Sequence, residues 1–69
     1  MKITYDLSLD VLRILLSDAP IAESDEDKPG VILDYAEDGS VVGMEIMDGS
    51  KHVNNPSALD YEVVGMKSD

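Results

Sequence analysis

Residues 31–50 run VILDYAEDGSVVGMEIMDGS. Apolar and other residues alternate on both sides of one Asp-Gly step, the period of a strand half-buried on one face. Placing Asp38-Gly39 at the centre of a two-residue turn sets Tyr35 against Val42, Leu33 against Met44 and Val31 against Ile46. All six then share a face. Shifting the register by one residue, as a three-residue loop does, sets Leu33 against Gly43 and Asp34 against Val42, and the apolar sets no longer meet. Pattern and turn chemistry together predict a hairpin.

The segments around it extend the same reading. Lys2–Tyr5 alternates, and Ile3 and Tyr5 fall on one side. Residues 11–17, VLRILLS, fit a helical turn capped by Ser8 or a strand with Leu12, Ile14 and Leu16 on one face. The run is short and stops at Asp18-Ala19-Pro20, which favours the strand. Setting Tyr5 against Leu12 sets Ile3 against Ile14 and Met1 against Leu16, a second hairpin. Residues 22–30, AESDEDKPG, carry a run of acids and read as a solvated loop. Asp48 or Ser50 caps a short helical turn over about 48–53. Residues 59–64, LDYEVV, alternate again and predict a C-terminal edge strand with an acidic side. The expected fold is mostly β, a small antiparallel sheet of two hairpins plus a C-terminal strand. Its expected core is Ile3, Tyr5, Leu12, Ile14, Leu16, Val31, Leu33, Tyr35, Val42, Met44, Ile46 and Tyr61.

The 69 residues suit a single small domain, 1–69. No Cys, Trp or Phe is present, so the core rests on aliphatic residues, Met and three Tyr, without disulfides or thiolate metal sites. A core this thin gains stability by pairing chains, so a homodimer or another protein partner is expected. Fifteen acids against five Lys plus Arg give a net charge of −10. That field repels nucleic acid and anionic membrane surfaces, and suits a basic partner or plain solubility. MKITYDLS lacks the apolar run of a signal peptide, and Ile14-Leu15-Leu16 is too short to span a bilayer, so a cytoplasmic location is expected.

Chemistry-bearing patterns are sparse. Asp6-x-Ser8-x-Asp10 spaces oxygen ligands like the start of a calcium loop, but Val11 and Ser17 stand where that loop needs Gly and Glu. Turn capping accounts for it. Asp34 and Glu45 share a face in the hairpin register, and with Asp48 they form a weak candidate set for a divalent cation or a hydrolase. A sheet this small offers little room for a water-excluding pocket, so no catalytic residue and no cofactor is expected. His52, the only histidine, has no companions for a metal site. Gly43 is unusual in mid-strand, where glycine marks a bulge or a close approach. Ile32, Asp34, Ala36, Val41, Gly43 and Glu45 share one mixed face with a small-residue notch, and that face is the candidate interaction surface for another chain.

Taken together, MKITYD, Leu12-x-Ile14-x-Leu16-x-Asp18, IAES, PGVILDYAEDGSVVGMEI and Asp48-x-Ser50 resemble a family of small prokaryotic proteins, domain of unknown function 2283. The resemblance covers roughly residues 1–53 and, more loosely, the acidic C-terminal segment. Val11, Arg13 and Gly49 depart from it, standing where Ala, an aromatic residue and Ala are more usual. It implies a mostly β fold with a strand over 11–17, and it supplies no catalytic residues. Members often neighbour small basic toxin-like proteins, which implies an antitoxin-like role. The function expected is therefore a non-enzymatic protein–protein interaction module. A cation-binding module or hydrolase, and a purely self-associating structural protein, are the alternatives.

Overall fold

The structure, a computed structural model, describes residues 1–67. Five strands form one antiparallel sheet: β1 (Lys2–Asp6), β2 (Val11–Leu15), β3 (Glu23–Lys28), β4 (Val31–Tyr35) and β5 (Val41–Ile46). A single turn of helix, α1 (Gly49–His52), follows. The strand order across the sheet is β1-β2-β5-β4-β3, which leaves β1 and β3 at the edges.

The first hairpin has the expected register, with Ile3 opposite Ile14 and Tyr5 opposite Leu12. The second keeps Val31 opposite Ile46 and Leu33 opposite Met44, but reaches that register by another route. Its turn is a three-residue loop: Ala36 N–H donates to the Ser40 carbonyl at 2.9 Å and Gly39 N–H to that of Ala36 at 3.0 Å. Gly39 takes φ +87°, the left-handed conformation that closes such a loop. Left alone, this loop shifts every later pair by one. A β-bulge restores the alternation: Tyr35 pairs with Val41 instead of Val42, and Asp34 then pairs with Gly43. The two-residue turn expected from Asp38-Gly39 is thus replaced by a longer loop plus one extra residue.

The bulge also anchors the chain leaving β2. Leu16 and Ser17 both donate their amides to the Val42 carbonyl, at 2.7 and 3.2 Å. Residues 16–22 then cross three strand spacings, about 14 Å, and Ala22 N–H donates to Tyr35 O at 2.8 Å. The connection is pinned at both ends beside the bulge, and it delivers β3 to the far edge.

That delivery corrects the expected solvated loop at 22–30. Glu23–Lys28 is a strand paired with β4, with every one of its residues exposed. Main-chain pairing at a sheet edge needs no apolar side chain, and charges there block further strand addition. The β3–β4 turn at Pro29-Gly30 uses φ +81° at Gly30, whose amide donates to Glu26 Oε2 at 3.0 Å. The expected C-terminal strand is absent. Residues 59–64 form no strand or helix, with Leu59, Tyr61, Val63 and Val64 exposed. Alternation specifies a two-faced ribbon but no neighbour, and the fifth place in the sheet belongs to β3.

The expected core forms only in part. Val42 is the one fully buried hydrophobic residue among those described. Ile3, Tyr5, Leu12, Ile14, Val31, Leu33, Tyr35, Met44 and Ile46 are half-buried. Leu16 and Tyr61 are exposed. Among the described residues, no helix is long and apolar enough to cross a membrane.

Candidate interaction surface

Residues directly opposite across a sheet share a face. Ile3, Ile14, Met44 and Leu33 are successive partners across β1, β2, β5 and β4, and Tyr5, Leu12, Ile46 and Val31 form the next row. Both rows are uncharged until β3, where Asp25 and Lys28 end them. At the β1 end α1 lies against Tyr5, whose ring is 3.5 Å from the place of a Gly49 Cβ, and Leu59 and Tyr61 border Met1 and Ile3; the residues of the face stay half-buried. The alternation of the sequence marks these positions as core but carries no information on whether anything covers them.

The opposite face holds the residues expected to meet a partner. Its rows are Thr4, Arg13, Glu45, Ile32 and Glu26, then Lys2, Leu15, Gly43, Asp34 and Ser24. Two of the proposed contact residues are withdrawn from the surface: Asp34 is 2 % exposed and Gly43 is buried. The notch at Gly43 is filled from within. A Cβ there falls 2.8 Å from the Ile14 carbonyl oxygen, 3.4 Å from the Leu15 side chain and 3.7 Å from Asp34 Oδ2. Ile32, Ala36 and Glu45 remain half-buried, Val41 is exposed, and the bulge sets Val41 opposite Tyr35 in place of Ala36.

Asp34 lies beneath that face with one oxygen satisfied. Its Oδ1 accepts from Ser24 Oγ at 2.6 Å, while Oδ2 is buried with no hydrogen-bond partner. Glu45 sits opposite Arg13 on one side and Ile32 on the other. Asp48 is exposed at the start of α1, with φ +51°. The three candidate cation ligands therefore occupy different settings. Among the described residues no group of three or more His, Cys, Asp or Glu is placed to hold a metal ion.

Asp6, Asp38 and Asp10 work as structural acceptors. Asp6 Oδ1 accepts from Ser8 Oγ and the Leu9 amide, at 2.8 and 3.0 Å, and these bonds hold its pKa below the usual carboxylate range. Asp38 does the same for Ser40, with the same effect. Asp10 goes further. It takes φ +56° and turns its carboxylate to Ser50 and to the Tyr5 hydroxyl. The Ser50 hydroxyl first, then the Tyr5 hydroxyl and the Ser50 amide, lower its pKa, and the same contact with Asp10 raises that of Tyr5. Helix α1 is thus capped from the β1–β2 turn; Asp48 makes no side-chain capping bond. The local capping expected of Asp48 or Ser50 is replaced by a remote one, which no local pattern signals.

The family's sequence profile matches residues 2–50, from the start of β1 into α1. The chain belongs to the DUF2283 family. That family is described as proteins of unknown function. The matched region contains all five strands and excludes the unpaired tail, so the DUF2283 unit in this chain is the sheet itself. No curated protein and no solved structure matches the chain.

Proposed function

We propose that this DUF2283 protein is a non-enzymatic interaction module whose acidic surface selects a basic protein partner. The observation that carries the reading is the distribution of its surface. A sheet with an apolar face left half-open is bordered by an edge strand, Glu23–Lys28, exposed along its whole length and carrying four of the chain's acids. Apolar area supplies affinity, and a one-signed rim steers encounter and rejects acidic competitors. The net charge of −10 supports a cationic partner over nucleic acid or an anionic membrane surface. Asp6, Asp10 and Asp38 spend their hydrogen bonds on capping turns and a helix, which supports a binding role over acid–base chemistry.

Capture on the immobilised full chain from a lysate of the source cell tests this. The expected result is a basic protein whose retention falls as salt rises. It falls further for a variant carrying Glu23→Gln, Asp25→Asn, Glu26→Gln and Asp27→Asn. Retention indifferent both to salt and to those substitutions overturns the reading.

A further inference from the structure

We propose that residues 59–64 form a strap that closes over the β1 side of the apolar face and shields it from a partner. The path of the chain brings them there. Beyond β5, α1 lies against the row that starts at Tyr5, with the Tyr5 ring 3.5 Å from the place of a Gly49 Cβ. The chain then turns at residues 55–58. Ser57 N–H donates to Asn55 Oδ1 and Ala58 N–H to the Asn55 carbonyl, both at 3.1 Å, and Pro56 is half-buried. It emerges beside the next row, where Leu59 and Tyr61 line a common cleft with Met1 and Ile3. The segment after α1 thus runs antiparallel to β1, from its Tyr5 end to its Met1 end, along the border of the apolar face.

The side chains of the segment suit that face. Leu59, Tyr61 and Val63 are 64, 70 and 81 % exposed, and they alternate with Asp60 and Glu62. Laid across the sheet in extended form, such a segment turns its apolar side chains inward and both acids to water. Ile3, Ile14 and Met44, successive partners across β1, β2 and β5, are uncharged and half-buried, so closure removes apolar area from water on both sides. The distance to close is short. Ile14 lies one strand spacing from Ile3 and Met44 two, about 5 and 10 Å. Because the strap is tethered at Ala58, it meets the face at an effective concentration on the order of millimolar, which a second copy or a free partner has to exceed. Charge fixes the side on which it lies. The acids of β3 repel Asp60 and Glu62, but β2 stands three strand spacings from β3, about 14 Å, beyond the roughly 8–10 Å reach of charge at physiological salt. The contact needs side chains only and adds no strand to the sheet.

What the strap regulates rests on the interaction reading, since strap and partner claim the same side chains; the closing itself does not. NMR on the methyl-labelled full-length chain tests the closing without a partner. Nuclear Overhauser contacts are expected from the Tyr61 ring and the Leu59 methyls to the Ile14 and Met44 methyls. They are expected to vanish in an isotope-filtered spectrum of mixed labelled and unlabelled chains. Their absence from the first spectrum overturns the proposal. So does their survival in the second, which makes a second copy the occupant. The protein has no cysteine, so paired thiols report contacts cleanly. Tyr61→Cys with Met44→Cys is expected to form a disulfide within one chain under mild oxidation. Tyr61→Cys with Glu45→Cys, one residue along on the opposite face, is not, and equal yields from the two pairs overturn the proposal. Leu59→Ser, Tyr61→Ser and Val63→Ser together lie outside the sheet and α1. That variant is expected to raise the fluorescence of the neutral apolar-surface dye Nile red several-fold, with an unchanged circular dichroism spectrum. Dye binding equal to wild type overturns the proposal. Failure to capture a basic protein defeats the interaction reading and leaves these readouts standing, so the two fail separately.

Discussion

The Asp10 carboxylate accepts the backbone amide of Ser50 at 2.9 Å and its hydroxyl at 2.6 Å, across forty positions of sequence. The Gly49 amide donates to the Asp10 backbone carbonyl at 2.8 Å, and the Tyr5 hydroxyl to Asp10 Oδ1 at 2.6 Å. One residue therefore ties the β1–β2 turn, the first strand and the short helix together. A four-residue helix has too few internal bonds to stand alone. Ser50→Ala is expected to destabilise the fold by about 1 kcal/mol, the usual net value of one hydrogen bond. Urea unfolding followed by circular dichroism measures it.

The same contact sets a pH dependence. The pKa of Asp10 is lowered by its partners, so its contribution to stability is fully present above the ordinary aspartate value. It is lost as pH falls below about 4 and through the lowered folded value. Asp10→Asn removes that contribution. Wild type is expected to be the more stable at pH 7, with the gap closing during acid titration. A gap that stays constant down to pH 2 counts against the assignment.

Two glycines with ordinary backbone angles are expected to respond oppositely to alanine. At Gly43 the added Cβ meets the Ile14 carbonyl oxygen at 2.8 Å, and backbone must move. Gly43→Ala is expected to cost about 1–3 kcal/mol, as overpacked sites do. At Gly49 the nearest atoms lie at 3.5 Å, ordinary contact. Alanine fits there, and its better helix propensity stabilises by up to about 1 kcal/mol. Urea midpoints of the two variants separate the cases.

Asp34 buries a carboxylate with one oxygen unpartnered. Burying such a group costs on the order of 1–3 kcal/mol or more when charged. Asp34→Asn keeps the shape and an oxygen for Ser24 while removing the charge. It is expected to raise stability at neutral pH. A loss of more than 1 kcal/mol indicates that Oδ2 has a partner in solution.

Edge strand β3 pairs with β4 on one side and is exposed throughout. Replacing Asp25 and Asp27 by Thr keeps β propensity and removes two gatekeeping charges. The variant is expected to form thioflavin-positive aggregates at concentrations where wild type remains clear. A variant as soluble as wild type overturns this role for the acids.

Much of the sheet is legible in the sequence. The two hairpins follow from period-2 alternation, and cross-strand pairs such as Ile3–Ile14 and Leu33–Met44 follow from matching apolar sets, because an error of one residue turns every side chain to the wrong face. The loop length between β4 and β5 did not follow. Asp-Gly fits both a two-residue turn and a three-residue loop with glycine in the left-handed position, and a bulge makes the two give the same pairs further on. The mixed-face surface was displaced for a related reason: pattern places Asp34 and Gly43 on a face but does not reveal that neighbouring residues close over them.

Alternation, the places of the glycine turns and the negative charge are all readable from residue order, because they depend on side chains a few positions apart. That ESDEDK is a strand and LDYEVV is not emerges from the folded arrangement alone. Pairing at an edge is a matter of main-chain hydrogen bonds and of where a connection delivers the chain, and side-chain hydrophobicity does not encode either. The capping of α1 by Asp10 and the half-buried state of the apolar face arise in the same way, since both depend on what lies opposite in space.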